Sequence, residues 1–173
     1  VSEQHLPPQA HRGLHMQLNP DVFGSADLLI NLFEHKPLPA KREKRVVHGP
    51  HSQTWIGNIQ GASGGQVVIT EHNGAAAGFI HFENQLFEIV TDPGGRQRLL
   101  HIQESALPGL PEKAPLPELP AGEIAPEPAA QEPGTAAAGQ VIDLLVVYST
   151  AAADRYGQSG IEARIISAVE SAN

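Results

Sequence analysis

What most constrains the fold of this chain is the regular alternation of short β-forming runs with turn signals over residues 53–103. The runs cover residues 54–59, 66–70, 77–82, 85–90 and 98–102, and they are rich in β-branched, aromatic and long aliphatic side chains. Between them stand Ala62-Ser63-Gly64-Gly65, His72-Asn73-Gly74, Glu83-Asn84 and Asp92-Pro93-Gly94-Gly95. Asn73-Gly74 is a dipeptide that accepts positive φ in a tight hairpin. Asp92-Pro93-Gly94-Gly95 combines a proline-fixed φ with a permissive glycine behind it. Strands joined by links this short pair antiparallel, so the expected unit is an antiparallel β-meander. One face is expected to form its core, from Trp55, Ile59, Val68, Phe79, Leu86 or Phe87, Ile89, Leu100 and Ile102. Trp55, the sole tryptophan, is read as a core residue; an exposed platform for stacking a ligand is the alternative.

On either side of this unit the composition changes. Residues 1–13 hold two adjacent prolines and little periodicity, and read as a flexible leader. Its histidines and the one just beyond, His5, His11 and His15, are spaced too irregularly for one helical face, so a mobile polar leader is preferred to a metal site. Ala26 to Phe33 is the densest apolar group of the next stretch and able to cover one side of the meander; periodicity does not decide between a strand and a short helix. Lys41-Arg42-Glu43-Lys44-Arg45 is the one basic cluster. A solvated strand face or loop is the simplest reading, ahead of a processing site or a patch for an acidic partner. His48 and His51 lie in a Gly-Pro turn context that fixes no ligand geometry. Residues 106–139 carry prolines at 108, 111, 115, 117, 120, 126, 128 and 133 and no aromatic residue. Such a segment buries too little apolar surface to offset its ordering entropy, and is read as an extended linker.

Residues 140–173 open with Val141-Ile142-Asp143-Leu144-Leu145-Val146-Val147-Tyr148, a run that fits a strand covered on both faces. Ser159-Gly160-Ile161-Glu162 has the form of a capping box. Ile161, Ile165, Ala168, Val169 and Ala172 then recur at helical spacing as one apolar stripe. A buried strand followed by an amphipathic helix is the start of a layered domain.

Together these segments resemble the metzincin-type zinc metallopeptidases, nearest the reprolysin-like bacterial enzymes of the peptidyl-Asp metallopeptidase type. The strand and helix of residues 141–173 resemble the opening of the catalytic domain, with Ser149-Thr150 where the relatives carry Thr-Pro. Trp55-Ile56-Gly57-Asn58-Ile59-Gln60-Gly61, Val67-Val68-Ile69, Gly74 through Gly78 to Ile80, and Leu86-Phe87-Glu88-Ile89 resemble the relatives' prosegment in the same order. The resemblance implies a β-rich prosegment over residues 14–105 with a strand at Ala26 to Phe33, the linker over 106–139, and over 140–173 the first β-strand and α-helix of an α+β zincin-type domain. It further implies a secreted or periplasmic precursor whose signal peptide has been removed, with its own catalytic domain as the prosegment's partner and protein or peptide substrates for the parent enzyme.

The chemistry of such an enzyme is absent from these residues. Metzincins hold zinc through H-E-x-x-H-x-x-G-x-x-H, two histidines one helical turn apart and a glutamate acting on the metal-bound water. No stretch here reads H-E-x-x-H; Glu34-His35 and Glu71-His72 have the reverse order, and Asp143 is better read as a hydrogen-bonding group at a strand edge. No catalytic, cofactor-binding or metal-ligating residue is therefore assigned, and the resemblance places the zinc motif beyond Asn173. With no cysteine, thiolate ligation and thiol nucleophiles are excluded. A net charge of −8 opposes nucleic acid and anionic membranes as partners. The function expected is the front end of a zinc metalloendopeptidase precursor, with a prosegment that assists folding and keeps the enzyme latent. The alternative is a non-catalytic secreted β-domain used for binding, with a Pro-rich stalk.

Overall fold

The computed structural model describes residues 7–33, 37–61, 65–103, 105 and 144–172. The chain divides into two units, residues 1–107 with 147–173, and residues 108–146. Of the second unit only Leu144, Leu145 and Val146 are described; they are exposed and have no regular secondary structure. The linker expected over 106–139, and Val141 to Asp143, fall outside the described residues.

The first unit is built on eight antiparallel strands. They are β1 (Ala10–Met16), β2 (Asp27–Ile30), β3 (Leu38–Gly49), β4 (Ser52–Ile59), β5 (Gln66–His72), β6 (Ala75–Phe82), β7 (Gln85–Thr91) and β8 (Gln97–Ile102). The sheet order is β1-β8-β7-β6-β5-β4-β3-β2, so β2 through β8 run as an unbroken meander and β1 closes onto β8. The five runs expected from the sequence are β4 to β8. Their links have the anticipated geometry: Asn73 and Gly74 at φ 48° and 81°, and Glu83 and Asn84 at 48° and 59°, both with the two positive φ values of a mirror-image hairpin turn. At the β7–β8 turn, Asp92 Oδ1 accepts from the amides of Gly94 and Arg96 at 2.9 and 3.0 Å, and Oδ2 from the Arg96 guanidinium at 2.9 Å.

Three strands extend the meander beyond the expected unit. β1 begins at Ala10, inside the stretch read as a flexible leader, because pairing with β8 satisfies a backbone whose side chains carry no period of their own. β2 lies within the apolar group 26–33 and pairs with β3. β3 carries the Lys41–Arg45 cluster as a mostly solvated strand.

The expected core mixed two faces. Trp55, Ile69, Ile89 and Leu99 share one cross-strand row and, with Val67, Ile80, Phe87 and Ile59, form the inner core together with Phe23, Ile30 and Leu32. Val68, Leu100 and Ile102 point the opposite way, and Phe79 is only half-buried. The meander is buried on both faces, which strict period-2 reading for a single core face does not anticipate. Trp55 is fully buried and donates from Nε1 to the Ser25 carbonyl at 3.0 Å. That bond ties the inner face to the turn ahead of β2.

Two helices follow the linker, α1 (Thr150–Tyr156) and α2 (Gln158–Ala172). The sequence reading missed α1, whose N-cap is Ser149, accepting from the Ala152 amide at 3.3 Å. The expected capping box does not form, because α2 begins at Gln158 and Ser159 and Glu162 lie within it. Of the strand expected over 141–148, the described residues 144–148 form no ladder, and Leu145 and Val147 are 92% and 81% exposed. A double-covered strand needs a neighbouring edge and two packed layers, and nothing among the described residues supplies them.

Two outcomes follow from this fold. A Cβ at Gly78 would stand 2.3 Å from the Val68 carbonyl oxygen, a backbone atom that cannot yield alone. Gly78→Ala is expected to cost about 2–3 kcal/mol, measured by urea denaturation. At Asp92, burial pushes the carboxyl up, but the Arg96 amide and guanidinium and the Gly94 amide outweigh it and hold it below 3.8. A lowered acid contributes stability above its ordinary pKa and loses it on acidification. Asp92→Asn should therefore melt lower than the parent at pH 7, with the gap closing as pH falls below 3.8.

Candidate functional site

The outer face of the sheet is a seat for α2. Helix α2 packs on β5 and β6 and touches β7. The surface beneath includes the small buried side chains Ala75, Ala77 and Thr70 beside the larger Val68; Thr70 shares a hydroxyl–hydroxyl bond of 2.9 Å with Thr54 on the next strand. The helix answers with small residues of its own: its buried positions are Gly160, Ala163 and Ser167. A Cβ at Gly160 would meet the Thr91 carbonyl oxygen at 3.0 Å, so glycine there allows close approach. The stripe expected to be buried behaves otherwise. Ile161, Ile165 and Val169 are half-buried, while Ala168 and Ala172 are exposed.

Polar anchors set this rotation of the helix. Arg164 pairs with Glu88, which rises from β7 with its side chain only 6% exposed. Burial pushes the Glu88 carboxyl above 4.5, and the guanidiniums of Arg164 and Arg155 offset this only in part. The Arg164 guanidinium also lies 4.3 Å from the centre of the Tyr156 ring, at the end of α1. On the flank, Glu162 Oε2 is 3.0 Å from His72 Nε2, and Ser52 Oγ is 3.0 Å from His72 Nδ1. Asn73 Nδ2 also lies 2.9 Å from His72 Nε2, so both ring nitrogens are engaged. Glu162 Oε1 accepts from Gln158 at 3.0 Å. Lys44 of the basic cluster reaches Glu170 at 3.6 Å.

A serine, a histidine and a carboxylate thus stand in line, yet the chain acts as a brace. Ser52 is buried, and its hydroxyl is engaged on the ring. His72 and Glu162 are 90 positions apart, and no local spacing marks them as partners. Sequence reasoning missed Glu88 and Arg164 for the same reason.

The residues weighed as metal ligands are not brought together. His11 meets His101 edge to face, with ring centres 5.9 Å apart. His48 Nε2 lies 2.9 Å from Thr54 Oγ1, and the His51 carbonyl accepts from the Asn73 amide at 2.8 Å. His5, Glu34-His35 and Asp143 lie outside the described residues. Among the described residues no group of three or more His, Cys, Asp or Glu is placed to hold a metal ion. Nor, among them, is any helix long and apolar enough to cross a membrane.

The ion pair is the testable element of the seat. Arg164→Ala removes the ion-pair partner of the buried Glu88 and leaves only the field of Arg155 to offset its charge, a loss of about 3 kcal/mol. Amide exchange in α2 should accelerate roughly a hundredfold, while the β5 and β6 amides keep their rates. Arg164→Lys should restore part of the protection. No protein-family model, curated protein or solved structure matches this chain.

Proposed function

We propose that the β-sheet unit is the prosegment of a secreted zinc metalloendopeptidase precursor, and that it acts by holding the first helix of the catalytic domain. The observation that carries this reading is the division of labour on α2. Its small and charged residues are engaged by the sheet, while Ile161, Ile165 and Val169 remain partly open. Leu144 to Val147 are likewise exposed just ahead of the helices. Apolar residues left in this state serve a further packed layer, and a completed α+β catalytic domain supplies one. Trp55 supports the same choice, since its burial removes the stacking platform on which a binding module would rely.

In this reading, zinc and its ligands belong to residues beyond Asn173, and the unit contributes no group to hydrolysis. Its work is to position α2 and to cover the enzyme until the linker is cut. The binding-module reading keeps one observation of its own, the cavity on the inner face of the sheet.

The test is inhibition in trans. The released prosegment, residues 1–139, added in excess to the mature peptidase that begins at residue 140, should suppress peptide hydrolysis at least about tenfold, the equivalent of 1.4 kcal/mol. Undiminished hydrolysis with the prosegment bound, or a reading frame that continues without an H-E-x-x-H helix, contradicts the assignment.

A further inference from the structure

The inner face of the sheet encloses a second feature, unrelated to the helix seat. The sheet curls until β1 and β2, its two edge strands, face the same cavity of about 560 Å³. The floor consists of Ile69, Ile80, Ile89 and Leu99, each at most 4% exposed. Eight-stranded curled sheets leave an interior just wide enough for side chains or for one small ligand. Here the side chains do not fill it, and the volume falls in the range of about 300–1,000 Å³ usual for small-molecule sites.

The rim points to a ligand, and to its chemistry. Among the described residues outside 144–148, the large apolar side chains most exposed are Leu14, Leu29 and Val47. Two of the three, Leu14 and Leu29, line this cavity, one from each edge strand. Leu14, paired across the ladder with Leu99 of the floor, carries its exposure on the inner face, the surface that an apolar occupant would remove from water. At the mouth stand the carboxamides of Gln17 and Asn31, which both donate and accept, beside Asp21 and Asp27. Among the described residues no lysine or arginine lines the cavity, while Asp21 and Asp27 do, so a carboxylate or phosphate head is disfavoured there.

We propose that this cavity binds one uncharged amphiphile, with a straight apolar tail against Ile69, Ile80, Ile89 and Leu99 and a hydroxyl or amide head at Gln17 and Asn31. The site is independent of the prosegment reading, and its occupancy stabilises the sheet by mass action.

The probe is the neutral dye N-phenyl-1-naphthylamine, titrated by fluorescence into the full chain. Saturable one-to-one binding is expected, displaced by 1-decanol and displaced about tenfold less well by decanoate, a 1.4 kcal/mol discrimination. Ile89→Phe, which fills the floor, and Leu14→Trp, which narrows the half-exposed mouth, should each weaken the dye about tenfold while keeping the β-sheet circular dichroism. Leu145→Ser, in the exposed segment, should leave binding unchanged. Decanol should also raise the melting temperature of the parent chain. Non-saturable binding, equal displacement by decanoate, unaltered affinity in a folded Leu14→Trp or Ile89→Phe, loss of binding in Leu145→Ser, or no thermal shift with decanol would each overturn the proposal.

Discussion

The sheet depends on how Trp55 lies over Gly57. A Cβ at Gly57 would stand 2.4 Å from the indole ring and 2.3 Å from the Lys41 carbonyl, so only glycine leaves room there for both the ring and the neighbouring strand. With the indole folded down along its own strand, the inner row Trp55, Ile69, Ile89 and Leu99 can draw together across four strands. Gly78 occupies the gap in that row between Ile69 and Ile89, where its missing side chain lets the Val68 carbonyl approach. These two glycines and one tryptophan let the sheet wrap inward, and a wrapped sheet can bury an apolar face without a second sheet.

The outer face meets the opposite problem. Its surface under α2 is small and partly polar, so burial there yields little per residue. A helix laid on Ala75, Ala77 and Thr70 gains close approach there, beside the larger side chains Ile56 and Val68 of the same face. Orientation then falls to Glu88–Arg164, His72–Glu162 and Lys44–Glu170. Such pairs are costly to bury, as the raised Glu88 carboxyl records, and they define geometry more than they add stability. A helix held by direction rather than by bulk suits an element that must also pack elsewhere.

The two faces therefore differ in chemistry. The inner one is apolar and encloses a cavity; the outer one is a polar-anchored seat for a helix. A prosegment needs the second and has no evident need of the first, which is why the two proposals stand or fall separately.

The meander is written in local signals along the chain. Alternating β-forming runs and the Asn73-Gly74 and Asp92-Gly95 turns are local signals, and φ preference and strand pairing over a few residues act without the rest of the chain. The sequence also settled what chemistry is missing, because a zinc helix is a contiguous pattern and none is written here. Only the tertiary structure decided that residues 10–16 form a strand, that both sheet faces are buried, and that α2 turns its small residues inward while Ile165 stays half open. Those outcomes depend on partners far along the chain, such as His72 with Glu162 or Ala10 with Ile102. The helical period of α2 was legible, but which side of it would be covered depended on the shape and charge of a surface that exists only once the sheet has formed.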